Sequence, residues 1–343
     1  MNFKTKWDPL GKIQNLFKNS LQVRKLDNQK LTNQEGAREE IRKLYWVGNL
    51  ALEVSQTNVS LLDKVLESGV DTPEIWKLKG ESLMKQEQFF EANYCFDQVL
   101  RLAPNDAEAL DSKGYCLYRL GYYEIALSCF IQALTSRSRD VAILTNTGIC
   151  LCHLGRYKEA LTYFERALRN GGCSPTLWNN KGFCLFKLGR YQEAYEAYKI
   201  ALDYGGHELV DLLCNVAAAL VGMGAYKEAL YYFDRALQKD SEDPLLLNNV
   251  ALCLEEQGRY DLALKCYEKA LSYAPGNLTY LYNKGVCLVR VKCWEKALNC
   301  LEEVVKCDPN HSSAWGQLGA VYLAQGKSEE ALVCYNNALG LMK

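Results

Sequence analysis

The stretch WNNKGFCLFKLGRYQEAYEAYKIA, residues 178–201, decides the fold of this chain. Its apolar residues recur every three to four positions on both sides of Gly189, which is the spacing of two amphipathic helices joined by a short turn. The small residues Gly182 and Ala194 allow the two helices to approach closely, and Tyr198 fills the space that remains between them. The stretch is therefore predicted to form an antiparallel helical hairpin.

The same pattern returns at a nearly constant period along most of the chain. The eighth position of each unit is small: Gly80, Gly114, Gly148, Gly182, Ala217, Ala251, Gly285 and Gly319. The twentieth position is always alanine: Ala92, Ala126, Ala160, Ala194, Ala229, Ala263, Ala297 and Ala331. The twenty-fourth position is Leu301 in one unit and aromatic in the others: Phe96, Phe130, Phe164, Tyr198, Phe233, Tyr267 and Tyr335. Self-similarity at a fixed period is the signature of a solenoid.

In these landmarks the chain resembles the tetratricopeptide repeat family, whose unit has 34 residues. The resemblance covers residues 73–343 and divides them into eight units: 73–106, 107–140, 141–174, 175–209, 210–243, 244–277, 278–311 and 312–343. It implies an all-α fold, a right-handed α-solenoid of antiparallel helix hairpins. It also implies that the first helix of each unit, helix A, lines an inner concave groove and that the second helix, helix B, packs behind it.

The fifteen cysteines follow the same register. Five stand at the tenth position (Cys116, Cys150, Cys184, Cys253 and Cys287) and five at the twenty-third (Cys95, Cys129, Cys266, Cys300 and Cys334). At packing positions cysteine acts as a small hydrophobic residue, and the spacing matches no zinc motif. An odd total does not suit a complete disulfide framework. The cysteines are therefore predicted to be reduced thiols in a cytoplasmic protein that holds no metal and no cofactor.

The region before the repeats contains two predicted segments. Residues 32–72 are expected to form a helical cap or degenerate repeat, which includes a short helix near residues 59–67. Residues 1–31 are expected to form a basic segment with a short amphipathic helix, because residues 1–43 hold ten Lys or Arg against five Asp or Glu. Three interpretations of residues 7–26 stay open: packing against the first hairpins, docking on a partner, or weak contact with an acidic membrane surface.

Composition and motifs argue against several classes of function. The formal net charge of −1 does not suit a nucleic-acid-binding protein, which needs many uncompensated cations. The three histidines, His153, His207 and His311, lie in different units and are not part of a motif with a nucleophile or paired carboxylates. The glycines belong to the repeat and not to a phosphate-binding loop. The chain is therefore predicted not to be an enzyme.

Asparagine occupies the sixth position in five successive units: Asn146, Asn180, Asn215, Asn249 and Asn283, called here the ladder asparagines. They resemble the asparagine ladder in the repeat domain of O-linked N-acetylglucosamine transferase, where side-chain amides hold an extended peptide by its backbone. A carboxamide offers both a donor and an acceptor, so it can pair with any peptide group. The alternative is that these asparagines form hydrogen bonds between helices. Aromatic residues at neighbouring groove positions are expected to add apolar contact: Tyr115, Tyr118, Phe183, Phe186 and Tyr282.

Three functional hypotheses follow from this sequence. The leading one is a non-catalytic scaffold or adaptor that binds a segment of a protein partner in the groove. The second is an assembly factor or membrane-peripheral scaffold recruited through the basic N-terminal helix, and the third is an accessory subunit of a protein-modifying enzyme. The last unit has no polar capping helix after it in this sequence, so its outer face is a candidate for self-association.

Overall fold

In the computed structural model, residues 59–67, 69, 71–206 and 209–341 are described. That part of the chain is helical and contains no strand, which confirms the predicted all-α class. The chain divides into two compact units, residues 1–156 and 157–343. The predicted basic segment 1–31, the amphipathic helix within residues 7–26 and most of the cap predicted over residues 32–72 lie outside the described residues.

The first unit contains six described helices. They are α1 (Val59–Glu67), α2 (Pro73–Lys85), α3 (Phe89–Leu102), α4 (Ala107–Arg119), α5 (Tyr123–Ser136) and α6 (Val141–His153). Each helix packs against the next one in sequence, and α4 also contacts α2 and α6. The short helix that the sequence predicts near residues 59–67 is α1.

The second unit contains eleven described helices. They are α7 (Tyr157–Arg169), α8 (Pro175–Lys187), α9 (Tyr191–Ala201), α10 (Val210–Gly222), α11 (Tyr226–Leu237), α12 (Pro244–Glu256), α13 (Tyr260–Tyr273), α14 (Leu278–Arg290), α15 (Trp294–Cys307), α16 (Ser312–Ala324) and α17 (Ser328–Ala338). Consecutive helices pack against each other here too, and α14 contacts both α12 and α16. Contacts between helices two apart place the A helices side by side, which positions the candidate site.

Close helix packing depends on the small eighth residue of the repeat. A Cβ atom added at Gly114 would lie 2.7 Å from the Phe130 ring, and one added at Gly182 would lie 2.6 Å from the Tyr198 ring. Phe130 and Tyr198 are each only 1% exposed. The large residue at the twenty-fourth position therefore occupies the space that the eighth residue leaves free, as the sequence predicts.

The turn between helices A and B requires a left-handed residue. Gly189 has φ 74°, and Lys292 and Glu87 adopt φ 62° and 60° at the same position of their units. Glycine adopts a positive φ without steric cost, whereas a residue with a Cβ atom adopts it only at a steric cost. The turn geometry is thus kept even in the two units whose sequence lacks the glycine.

Polar residues fix where most A helices begin. The Asp106 side chain accepts hydrogen bonds from the backbone N–H groups of Glu108 and Ala109, at 3.0 Å each. The same N-terminal cap is made by four other polar residues whose side chains accept a backbone N–H: Asp140, Ser174, Asp243 and Asn277. His311 caps α16 in this way through Nδ1, so it has a structural role.

The unit over residues 175–209 is one residue longer than its neighbours. Helix α9 ends at Ala201, and the chain continues through a wider π-helical turn, Leu202–Gly206, in which Gly205 has φ 96°. The turn follows the last buried alanine of α9, which is 0% exposed. The extra residue is therefore absorbed in this turn, which itself contacts α8 and α9. His207 lies outside the described residues.

Candidate peptide-binding groove

The ten residues that the sequence assigns to the groove all lie on A helices and are all half-buried. Asn146, Tyr115 and Tyr118 belong to the first unit, on α4 and α6. The other seven belong to the second unit: Asn180, Phe183, Phe186, Asn215, Asn249, Tyr282 and Asn283. Partial exposure on one helix face is what contact with a ligand requires.

Three ladder asparagines form hydrogen bonds with helix A of the preceding repeat. The Nδ2 of Asn215 donates to Asn179 Oδ1 at 2.9 Å, and the Nδ2 of Asn283 donates to Asn248 Oδ1 at 2.9 Å. In the first unit, Asn146 Nδ2 donates to Asp111 Oδ1 at 3.0 Å. These are the hydrogen bonds between helices that the sequence left as an alternative. Each uses one N–H, so the amide keeps a second N–H and its carbonyl oxygen.

The acceptors of these bonds were not among the predicted site residues. Asp111, Asn179 and Asn248 share the fifth position of helix A, one residue before the ladder position. The signal was present in the sequence, since a carboxylate or carboxamide at the fifth position precedes an asparagine 35 or 36 residues later. The link depends on how far one unit is rotated from the next, which the period alone does not give.

The other two ladder asparagines are arranged differently. Asn249 follows a unit with Cys214 at the fifth position, which offers no carbonyl group to the amide. The Nδ2 of Asn180 is buried and has no hydrogen-bond partner among the described residues. A buried amide without a partner costs roughly 1–3 kcal/mol, so a ligand carbonyl there would relieve that cost.

Aromatic rings form a continuous cluster in the first unit. Tyr115 lies 6.2 Å from Phe89 and 6.4 Å from Tyr118, measured between ring centroids. Tyr118 contacts Tyr123 at 5.6 Å, and its hydroxyl lies 2.8 Å from His153 Nε2. Burial raises the pKa of Tyr118, so the hydroxyl stays protonated at neutral pH. The cluster gives this inner face rigid apolar area with polar edges.

The second unit repeats part of this arrangement. Phe183 meets Tyr157 edge-on at 6.0 Å, and Phe186 meets Tyr191 edge-on at 5.4 Å. Phe186 and Tyr191 belong to the same hairpin, whereas Tyr157 begins helix B of one repeat and packs against helix A of the next. Tyr282 instead contacts the capping residue His311, at 5.0 Å between ring centroids. Each predicted aromatic groove residue is thus held in place by a ring neighbour.

Two acidic residues of the A helices differ in their surroundings. Glu255 is 4% exposed, accepts the Tyr267 hydroxyl at 2.6 Å and lies 3.4 Å from Arg290 Nε, so its oxygens are occupied. Burial raises the pKa of Glu255. Asp111 accepts a hydrogen bond from the neutral Asn146 amide, and burial raises its pKa to about 6.

Metal binding and thiol chemistry have no support in this part of the chain. No group of His, Cys, Asp or Glu side chains in the described ranges is placed to hold a metal ion. All fifteen cysteines are free, and burial raises the pKa of Cys116 to about 12 and that of Cys150 to about 11. Those two thiols are therefore packing groups, as predicted. Within the same ranges, no helix is long and apolar enough to cross a membrane.

Family models match most of the repeat region. Models of the tetratricopeptide repeat match residues 73–106, 117–175 and 174–242. A model of anaphase-promoting complex, cyclosome, subunit 3 matches residues 222–304 and 256–338. This chain is a tetratricopeptide repeat protein. Tetratricopeptide repeat proteins are in general scaffolds for protein interaction and are in general not catalytic.

Solved structures resemble this tetratricopeptide repeat protein in fold. A tetratricopeptide repeat protein from Parabacteroides merdae is 17% identical, with 73% of this chain and 98% of that one covered and a TM-score of 0.56. A chain of the APC/C hetero-tetramer Cut9-Hcn1 is 15% identical, with 82% and 56% covered and a TM-score of 0.55. These likenesses show the fold alone.

A third solved structure is YrrB, a tetratricopeptide repeat protein with an unusual peptide-binding site. It is 26% identical, with 54% of this chain and 95% of that one covered and a TM-score of 0.46. No curated protein is significantly similar to the chain in sequence.

Proposed function

We propose that this tetratricopeptide repeat protein is a non-catalytic scaffold whose A helices bind an extended segment of a protein partner. The observation that supports the proposal is the recurring amide at the sixth position. In Asn215 and Asn283 one N–H is fixed by the preceding unit, which leaves the carbonyl oxygen and the second N–H in a set orientation. A preoriented donor and acceptor lose little entropy when they pair with a peptide backbone.

Hydrogen bonds alone do not account for useful affinity. A neutral hydrogen bond contributes roughly 0.5–1.5 kcal/mol, so one at each of the four ladder asparagines of the second unit would contribute about 2–6 kcal/mol. A micromolar complex needs about 8 kcal/mol. The exposed parts of Phe183 and Phe186 lie on the same helix A as Asn180 and would supply apolar contact. The proposed ligand therefore combines a free backbone with apolar side chains.

A library of random twelve-residue peptides displayed on phage tests the proposal. Selection on the immobilised full chain is expected to enrich peptides, and calorimetry with a synthetic selected peptide gives the affinity. The double variant Asn215→Ala/Asn249→Ala should weaken binding by about tenfold, since each amide can lose one hydrogen bond. Circular dichroism should remain that of the wild type.

Gln132→Ala is the matched control for this experiment. Gln132 is an exposed amide on α5, a B helix, so its loss should leave peptide affinity unchanged. Failure to enrich any peptide would contradict the proposed function. Equal affinity of the double variant and the wild type would show that the ladder asparagines do not hold the peptide.

The basic N-terminal segment supports a second proposal, in which the scaffold is peripheral to a membrane or acts in assembly. The charge excess over residues 1–43 suits an acidic lipid surface. Flotation with phosphatidylserine-containing vesicles tests this, and protein that stays at the bottom of the gradient removes the proposal. A third proposal is that the protein is an accessory subunit of a protein-modifying enzyme. We further propose that it is located in the cytoplasm.

The last repeat supports a further proposal, self-association. Leu332 of α17 and Leu339, which directly follows α17, are 61% and 72% exposed, whereas Leu127 and Leu134, at the same positions of the second repeat, are 4% and 8% exposed. In that repeat the face is covered by the next A helix, α6, which packs on α5. A second copy of the chain would cover the corresponding face of α17.

A further inference from the structure

The first compact unit of the chain has a carboxylate at a helix A position where two repeats of the second compact unit have neutral amides. Asp111 stands at the fifth position of helix A and accepts a hydrogen bond from Asn146 Nδ2 at 3.0 Å. Asn179 and Asn248 occupy the same position in the second unit and accept the same bond at 2.9 Å. A neutral carboxamide is therefore sufficient for the contact between repeats, and the charge of Asp111 is not needed for it.

The charge of Asp111 is not neutralised within the described part of the chain. Arg137, whose charge opposes the rise in the pKa of Asp111, lies 4.0 Å from Asp140, and Lys77 pairs with Asp106 and lies 3.5 Å from Glu108. Among the described residues, none forms an ion pair with Asp111. A half-buried carboxylate held by one neutral donor is costly, which is why its pKa rises.

The surroundings of Asp111 suit the aliphatic and cationic parts of a basic side chain. Tyr115 and Tyr118 follow it by one and two turns on the same face of α4. Both rings are half-buried, and their exposed parts offer flat apolar area with π-electron faces. The guanidinium of Arg119 already lies 4.3 Å from the Phe89 ring centroid, so this row of rings accepts a cation within the protein itself.

We propose that Asp111 binds a Lys or Arg side chain of the partner segment, so that the first unit selects a basic residue while the second unit does not. This inference rests on the proposed function, because it needs a segment bound along the A helices. The incoming cation would give the carboxylate the charged partner that the fold withholds. A hydrogen bond between two charged groups is about twice as strong as a neutral one, which makes the site selective.

The same random-peptide library, selected on the full chain and on two variants, tests the inference. Asp111→Asn keeps the shape of the side chain and an acceptor for Asn146, and it copies the residue found at positions 179 and 248. Asn179→Asp is the reciprocal change in the second unit. Wild-type peptides should share one basic position. That preference should disappear in Asp111→Asn, and a second basic position should appear in Asn179→Asp.

A synthetic selected peptide and its Arg→Gln version then give the effect on affinity. Asp111→Asn should weaken binding of the arginine peptide by about tenfold or more and leave the glutamine peptide unchanged. If Asp111→Asn fails to fold, the Arg→Gln change in the peptide and the gain in Asn179→Asp decide the result.

The outcomes separate this inference from the proposed function. Enriched peptides without a basic preference, or with the same preference in Asp111→Asn, would overturn the inference and leave the scaffold proposal in place. No enriched peptides at all would overturn both.

Discussion

At the scale of single residues, Asp111 makes the same hydrogen bond between repeats as Asn179 and Asn248, but burial of its charge costs stability. Burial raises its pKa from 3.8 to about 6, with Asp140 and Glu108 adding to the shift and Arg137 and the Asn146 amide opposing it. Because the folded-state value exceeds the unfolded one, the folded chain binds more protons between about pH 4 and pH 6. Stability contributed by this group is therefore lost as pH rises through that window.

Asp111→Asn is predicted to raise the free energy of unfolding at pH 7.5 by about 1–3 kcal/mol and to have little effect near pH 4, where the carboxyl of the folded protein is already neutral. Urea unfolding of the wild type and the variant at both pH values measures this. Glu255 also has a raised pKa, but it is present in both proteins, so its effect cancels in the comparison. A difference that is the same at both pH values would contradict the prediction.

At the scale of elements, the hairpin is set by one pair of residues from its two helices. Gly182→Ala places a methyl group 2.6 Å from the Tyr198 ring, so the ring or the helix has to shift. The substitution is predicted to lower the free energy of unfolding by about 1 kcal/mol, because overpacking outweighs the better helix propensity of alanine. Thermal or urea unfolding followed by circular dichroism gives the change.

Gly316→Ala is the matched control for that prediction. Gly316 also lies within an A helix, α16, but a Cβ atom there meets nothing within 4 Å. Only the propensity gain remains, so this variant should be more stable by about 0.5–1 kcal/mol. Ala217 and Ala251 show that the fold tolerates alanine at the eighth position where the whole unit has adjusted to it. Equal stabilisation by both substitutions would show that Tyr198 does not limit the helix approach.

At the scale of elements, the sequence predicts the helical hairpin but not the hydrogen bonds between repeats. The hairpin pattern predicts the fold class because small residues at the eighth and twentieth positions act within one unit, and the Gly182–Tyr198 contact confirms this. It does not predict that Asn215 Nδ2 is bound to Asn179, because that bond joins two units and depends on their rotation. The positions of the site residues on a helix could thus be predicted from spacing, whereas the hydrogen-bond partners of their amides could not.

At the scale of the whole molecule, a repeat protein is stabilised by contacts between neighbours, so a face without a neighbour is distinct. Within the second unit each described helix packs on the next in sequence, and α17 packs on α16. Tyr335 is half-buried there, whereas Phe130 and Tyr198, at the same position of their repeats, are 1% exposed. The exposed apolar face of α17 thus has the composition of an interface.

Sedimentation of the full chain over a range of concentrations tests whether a second copy covers this face. The wild type is predicted to form a dimer as concentration rises, and Leu332→Glu/Leu339→Glu to remain monomeric, because two buried, unpaired carboxylates would oppose association. Leu262→Glu is the control, since Leu262 is 40% exposed on α13, away from α17 in sequence, and should leave the dimer intact. A wild type that is monomeric at every concentration would assign this face to another occupant, and loss of the dimer in Leu262→Glu would place the interface elsewhere in the second unit.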